Sequence, residues 1–194
     1  VFYQLCEKAK KDITTPHFVV IDEINRGNLS KIFGELMMLI EADKRGEKNK
    51  IKLTYSSDDD YFYVPDNIHI IGTMNTADRS LTIVDYALRR RFAFIKMIPK
   101  FNDQFEEFVM SNGLSKGIIK QIVSKMNYLN QIIRDDESLG EGFEIGHSYF
   151  CTFSSGNEIR WYNNVIEFEI IPLIKEYWFD DPDKVSQYSE ELLS

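Results

Sequence analysis

The sequence predicts an α/β piece over residues 1–98 followed by an all-helical piece over residues 99–194. Three observations carry this division. The runs "HFVVI" and "NIHIIG" are short, continuous and apolar, the pattern of strands buried in a parallel sheet. Between them Leu29, Ile32, Phe33, Leu36, Met37 and Ile40 recur at the spacing of one buried helix face. Beyond Pro99 helical spacing takes over, through Phe105, Phe108 and Val109, then Ile118, Ile119, Ile122, Val123, Met126, Leu129, Ile132 and Ile133.

The elements follow in order. Residues 1–11 read as a helix, and "HFVVI" as a strand. Asn28 is placed to cap a helix running to about Ala42, because its side chain can accept from the first free backbone N–H groups. The polar residues 44–50 lead to "IKLTY" and "YFYVP", which flank "SSDDD" and suggest a β-hairpin with an acidic tip. "NIHIIGTMN" is a second core strand, "IVDYALRRR" a short helix, and "FAFIKMI" a third strand. In the helical piece, "LGEGFEIGHSYF" is a glycine-punctuated loop with Tyr149, Phe150 and later Phe153 as core. Residues 161–178 return to helix with Pro172 inside it.

With 43% hydrophobic and 13% aromatic residues the chain can fill a core, and 28% charged residues cover it, which excludes a disordered class. The formal net charge of -8 does not by itself draw in DNA or an acidic membrane, so any nucleic-acid role needs a local patch or another region. Cys6 and Cys151 lie far apart without metal-ligand spacing and read as reduced thiols of a cytoplasmic protein. No apolar run reaches the roughly 18 residues a membrane span needs; "NVIEFEIIPLI" is interrupted by Glu167, Glu169 and Pro172. There is no signal-peptide pattern, and the opening valine lies in the first helix, so the chain reads as part of a longer one.

The chemistry starts at "VVIDEINRGN", where an apolar strand ends in two adjacent carboxylates. Ligands of open α/β sheets gather beyond the carboxyl ends of the strands. A divalent cation there relieves the repulsion between Asp22 and Glu23. Asp22 could hold Mg²⁺ directly or through water, leaving Glu23 to polarise a water for attack on phosphorus. The same pattern also arises where a strand simply meets solvent. "IIGTMNTADRS" then puts Asn75 at the end of an adjacent strand, where its amide can bond an attacking water or a γ-phosphate. "DYALRRRF" follows with Arg89, Arg90 and Arg91 at a helix end. They are either solvated cations that favour the macrodipole or an arginine finger for a neighbouring subunit.

Walker B acids, a sensor asparagine and arginines in that order resemble an AAA+ NTPase. The blocks "VIDEINRGNLSKIFGELMMLIE", "YVPDNIHIIGTMNTADRSLTIVDYALRRRF", "GFEIGHSYF" and "IIPLIKEYWFDDP" resemble the McrB family of 5-methylcytosine-specific restriction subunits over nearly the whole chain. The resemblance implies an incomplete α/β AAA+ P-loop NTPase fold, lacking the P-loop strand, over 1–98 and an all-α lid domain over 99–194. It implies a GTP-preferring (alternatively ATP-using), Mg²⁺-dependent motor in a hexameric homo-oligomeric ring. It further implies an McrC-like nuclease partner, DNA bound through an N-terminal domain, no membrane role and a cytoplasmic location. Carried onto this chain, Asp22 (metal) and Glu23 (general base) match the Walker B acids, Asn25 and Arg26 the extended signature, and Asn75 sensor 1. Arg90 and Arg91 match the finger region, with Arg89 a weaker match, and His147 stands where a lid residue could act as sensor 2.

The chain departs from that pattern in one respect: no G-x-x-x-x-G-K followed by Ser or Thr occurs in it. The expectation is that this phosphate cradle precedes Val1, that the chain alone has little nucleotide affinity and no turnover, and that its sheet self-associates or rearranges at open edges. Two rivals remain: a MoxR-type chaperone ATPase, and a truncated interaction subunit that joins rings without hydrolysis.

Overall fold

A computed structural model describes residues 1–54, 61–75 and 89–194. The "SSDDD" tip and most of the helix expected before Arg91 lie outside the described residues, as do Thr76 to Asp78. The chain divides into two compact units, Val1–Ile95 and Lys96–Ser194.

The first unit contains α1 (Phe2–Lys11), β1 (His17–Ile21), α2 (Leu29–Phe33), β2 (Ile51–Lys52), β3 (Tyr61–Phe62) and β4 (Ile68–Gly72). β1 and β4 are parallel neighbours, in register from His17 opposite Ile68 to Ile21 opposite Gly72. The short pair β2 and β3 is antiparallel, Ile51 opposite Phe62, as a hairpin requires. Cys6 and Ala9 of α1 are fully buried with Leu39, Phe62, Val64 and Ile68. Burial pushes the Cys6 thiol up to about 11, so it is an apolar filler at neutral pH. The Asn67 amide donates to the carbonyls of Ala9 (3.2 Å), Asp12 (2.8 Å) and Thr15 (2.9 Å), which ties the end of α1 to the start of β4.

Three expectations need correction here. The apolar run of β1 suggests a strand covered on both faces, yet among the described residues only one face is covered: Phe18 is 59% and Val20 66% exposed. The helix capped at Asn28 does start there, with Oδ1 accepting from Lys31 N at 2.9 Å. It does not run to residue 42. Gly34 adopts φ +50°, a left-handed value that ends an α ladder, and residues Gly34–Met38 continue as a 3₁₀ turn. "FAFIKMI" forms no strand, and Ile95 and Met97 are largely exposed. A strand needs a neighbour for its N–H and C=O groups, and neither described sheet accepts this one.

The second unit is helical: α3 (Asp103–Ser111), α4 (Lys116–Asp135), α5 (Glu158–Val165), α6 (Ile171–Tyr177) and α7 (Pro182–Leu193). Polar side chains cap them as the sequence directs. Asn102 accepts from Phe105 N, Asn157 from Arg160 N and Asp181 from Lys184 N. Ile118, Ile119, Ile122, Met126, Leu129 and Ile133 form the buried stripe of α4, joined by Phe150, Tyr162, Ile166 and Trp178. Phe108, expected in the core, is half exposed. Pro172 lacks an N–H and cannot complete an ordinary α ladder. The chain accommodates it with a π segment at Ile166–Ile170, where Ile171 N reaches back to Ile166 O. Asn130, buried on α4, exchanges two hydrogen bonds with Ile145 (2.9 and 2.7 Å) and pins the glycine-punctuated loop.

Asp136, 13% exposed, fastens the other end of this unit. It accepts from Lys184 Nζ (2.7 Å), Trp178 Nε1 (2.9 Å) and the backbone and hydroxyl of Ser138. The hydrogen bond from Lys184, then those from Ser138 and Trp178, hold its carboxyl well below the usual carboxylate range against the opposing effect of burial. A depressed carboxyl stabilises the fold above its unfolded value, about pH 4, and that contribution is lost as pH falls further toward the folded value. Asp136→Ala should therefore cost about 3 kcal/mol at pH 7, the scale for breaking a largely buried ion pair. Urea unfolding followed by tryptophan fluorescence checks this, and the gap from wild type should close as pH drops below about 4.

Candidate active site at the strand ends

The two parallel strands bring the signature residues together through the backbone. β1 ends at Ile21, whose carbonyl accepts from Thr73 N (3.0 Å), and Ile24 N donates to Thr73 O (2.9 Å). The turn carrying Asp22 and Glu23 is thus clasped to the residue just past β4. Ile24 is buried with Phe33, Met37 and Ile40 and anchors the turn from below. It lies so close over β4 that a Cβ on Gly72 would sit 2.7 Å from Ile24 Cδ1, so the glycine is what permits this packing.

Above that anchor, Asp22 and Glu23 are exposed. Glu23 sits in the left-handed region, φ +51°, a conformation that costs a non-glycine residue about 1–3 kcal/mol and concentrates at functional sites. The Thr73 hydroxyl accepts from Glu23 N (3.2 Å) and donates to Asp22 Oδ1. Arg26 N closes the turn onto Glu23 O (2.8 Å), and Arg26 Nε pairs with Glu23 Oε2 at 2.8 Å. Both side chains of that pair are about half exposed, which limits it to about 1 kcal/mol or less and leaves the Glu23 carboxylate easily released. Asn25 is half-buried, and among the described residues its buried Oδ1 has no hydrogen-bond donor. Asn75 is exposed two residues beyond Thr73.

The arginines part company. Arg89 and Arg90 are exposed. Arg91 is 15% exposed, pairs through Nη2 with Glu41 Oε1 at 2.8 Å and donates from Nε to the Met37 carbonyl at 2.9 Å. Those contacts hold the segment after the arginines against the 3₁₀ turn. His147 belongs to the second unit, where Nδ1 accepts from Lys100 N (3.1 Å) and the ring packs edge-on against Phe101 and Phe105. Accepting at Nδ1 leaves the proton on Nε2.

Thr73 is not among the residues that the sequence singles out, although it lies within "IIGTMNTADRS". The available signal was a hydroxyl residue between a strand end and a polar amide, which becomes informative once β1 and β4 are known to be neighbours. Among the described residues there is no group of three or more His, Cys, Asp or Glu able to hold a metal alone. A magnesium ion needs less from protein: it keeps waters, takes one or two carboxylates and fills its shell from phosphate oxygens. Asp22, with Oδ1 fixed by Thr73, suits that partial role. Among the described residues no helix is long and apolar enough to cross a membrane.

Residues 4–92 match the family model for an AAA domain of the dynein-related subfamily, and residues 121–186 match that for the McrB alpha-helical lid domain. The whole chain is 48% identical to the Type IV methyl-directed restriction enzyme EcoKMcrB subunit of Escherichia coli K12, covering 43% of it. It is 28% identical to the Type II restriction enzyme BsuMI component YdiS of Bacillus subtilis 168, over 73% of this chain and 46% of the relative. The chain spans less than half the length of each of these relatives. An AAA-domain match, a McrB-lid match after it and an alignment of the whole chain with part of the E. coli subunit mean that the chain belongs to the McrB family and corresponds to its C-terminal region.

Proposed function

We propose that the full-length protein carrying this chain is a cytoplasmic, ring-forming AAA+ subunit that hydrolyses GTP, or ATP, with Mg²⁺. In this reading it drives a 5-methylcytosine-directed restriction system together with an McrC-type nuclease, and it reads DNA through a further domain. The observation that most supports this is the clasp between Ile24 and Thr73, because it holds two acids and an amide on adjacent strand ends. Both relatives are, by name, components of restriction enzymes.

Within the reading, Glu23 accepts a proton from water as the water oxygen bonds the γ-phosphorus and the bond to the β–γ bridging oxygen breaks. Asn75 orients that water. Asp22 would hold Mg²⁺, which when bound would supply neutralising charge to the phosphates. Asn25 and Arg26 complete the acid turn, and Arg90 is the finger that serves the next subunit, with Arg89 beside it. Arg91 keeps the finger segment in place, since its own guanidinium is engaged by Glu41. The sensor role of His147 rests on the family resemblance. This chain taken alone, with no phosphate-cradling loop in its sequence, is proposed to be inactive.

The test is substrate choice. Purified full-length protein should hydrolyse GTP and, with its nuclease partner, cut DNA containing 5-methylcytosine while sparing the unmethylated duplex. Cleavage indifferent to methylation would overturn the 5-methylcytosine assignment, and turnover that responds to a protein client and not to DNA would favour the chaperone class.

A further inference from the structure

The main-chain clasp between the two strand ends does not depend on the Thr73 hydroxyl. The clasp between β1 and β4 is made by the main chain, Thr73 N to Ile21 O and Ile24 N to Thr73 O, and both bonds survive any change of side chain that keeps the backbone. The side chain is exposed and fills no core. Yet its one oxygen touches both acids: it accepts from the Glu23 amide and donates to Asp22 Oδ1. A hydroxyl has a single proton. Because the Glu23 N–H must point at the oxygen, that proton has one place to go, the Asp22 carboxylate. The arrangement requires Asp22 to be an acceptor, fixes the rotation of its carboxylate and leaves Oδ2 for another partner. It also gives the amide of Glu23 a partner in a backbone conformation that would otherwise be disfavoured.

We propose that Thr73 is a positioning residue for the metal–nucleotide site, holding Asp22 in the rotation that binds a divalent cation and Glu23 in the turn that faces it. This rests on the nucleotide-hydrolysing reading above, and concerns a residue that reading leaves without a role. Valine keeps the β-branched shape and both main-chain bonds and removes the hydroxyl alone, so a loss confined to turn stability lowers the melting temperature and leaves Mn²⁺ affinity unchanged.

The experiment uses full-length protein. Mn²⁺, which reports its surroundings by electron paramagnetic resonance, is titrated into the nucleotide complex of Glu23→Gln protein, with and without Thr73→Val. The valine is expected to weaken Mn²⁺ binding about tenfold, the effect of one lost charge-assisted hydrogen bond, and to alter the Mn²⁺ spectrum. Nucleotide affinity measured without metal should be unchanged. With Glu23 intact, Thr73→Val should raise the Mg²⁺ concentration for half-maximal turnover by a similar factor, and Thr73→Ser should restore both. Wild-type Mn²⁺ affinity in Thr73→Val, or failure of serine to rescue, overturns the proposal. Should valine prevent folding, Thr73→Ala against Thr73→Ser gives the same comparison. Normal hydrolysis by Glu23→Gln would instead remove the underlying reading, whatever Thr73 does.

Discussion

Arg90→Ala in the full-length protein is expected to lower turnover by about 10³- to 10⁵-fold, the range for losing an arginine finger, or roughly 4 to 7 kcal/mol of barrier. The side chain is exposed and is not part of the ion pair that holds its neighbour Arg91, so the loss should come without unfolding. The diagnostic result is complementation. Arg90→Ala subunits keep Glu23, and Glu23→Gln subunits keep Arg90, so a mixture places an intact finger against an intact acid at some interfaces. Hydrolysis should return on mixing two preparations that are each inactive. Mixed rings that stay silent would rule out action across subunits. Arg91→Ala should behave differently: it releases Glu41 and the Met37 carbonyl, and the expected reading is a lower melting temperature that mixing does not repair.

Glu23→Gln carries the second large effect. The amide keeps the size of the side chain and can still meet Arg26, but it cannot take a proton from water. Turnover should fall by about 10² to 10⁴, the contribution of a positioned general base, while nucleotide affinity, measured by fluorescence of a labelled analogue, stays near wild type. Retained turnover would move the base elsewhere. Asp22→Asn provides the contrast, since it should weaken metal-dependent binding itself. The two adjacent acids then separate into one that retains and one that reacts.

The difference between what the sequence revealed and what it withheld follows from range. The helix cap at Asn28 is local, set by a side chain and a backbone group three residues on, and it reads correctly. The stripe on α4 is likewise periodic along one element. The failures are non-local or conformational. Nothing in "FAFIKMI" says whether a neighbouring strand is present to pair with it. The helix after Asn28 has the right apolar spacing as far as Ile40, and one left-handed glycine overrides it. At the site, the acids and Asn75 were legible as motifs. That Thr73 joins them depends on β1 and β4 being adjacent, and that Arg91 is engaged depends on a turn 50 residues earlier in the chain, at Glu41.

Glu23 occupies a backbone position that glycine would fill at no steric cost and asparagine with little. Selection for thermal robustness alone should therefore drift toward removing the acid, because Glu23→Gly relieves the torsion while discarding the proposed general base. Consensus or library stabilisation of this protein would need position 23 locked, and a hardened variant that had lost its turnover would be the expected product of leaving it open.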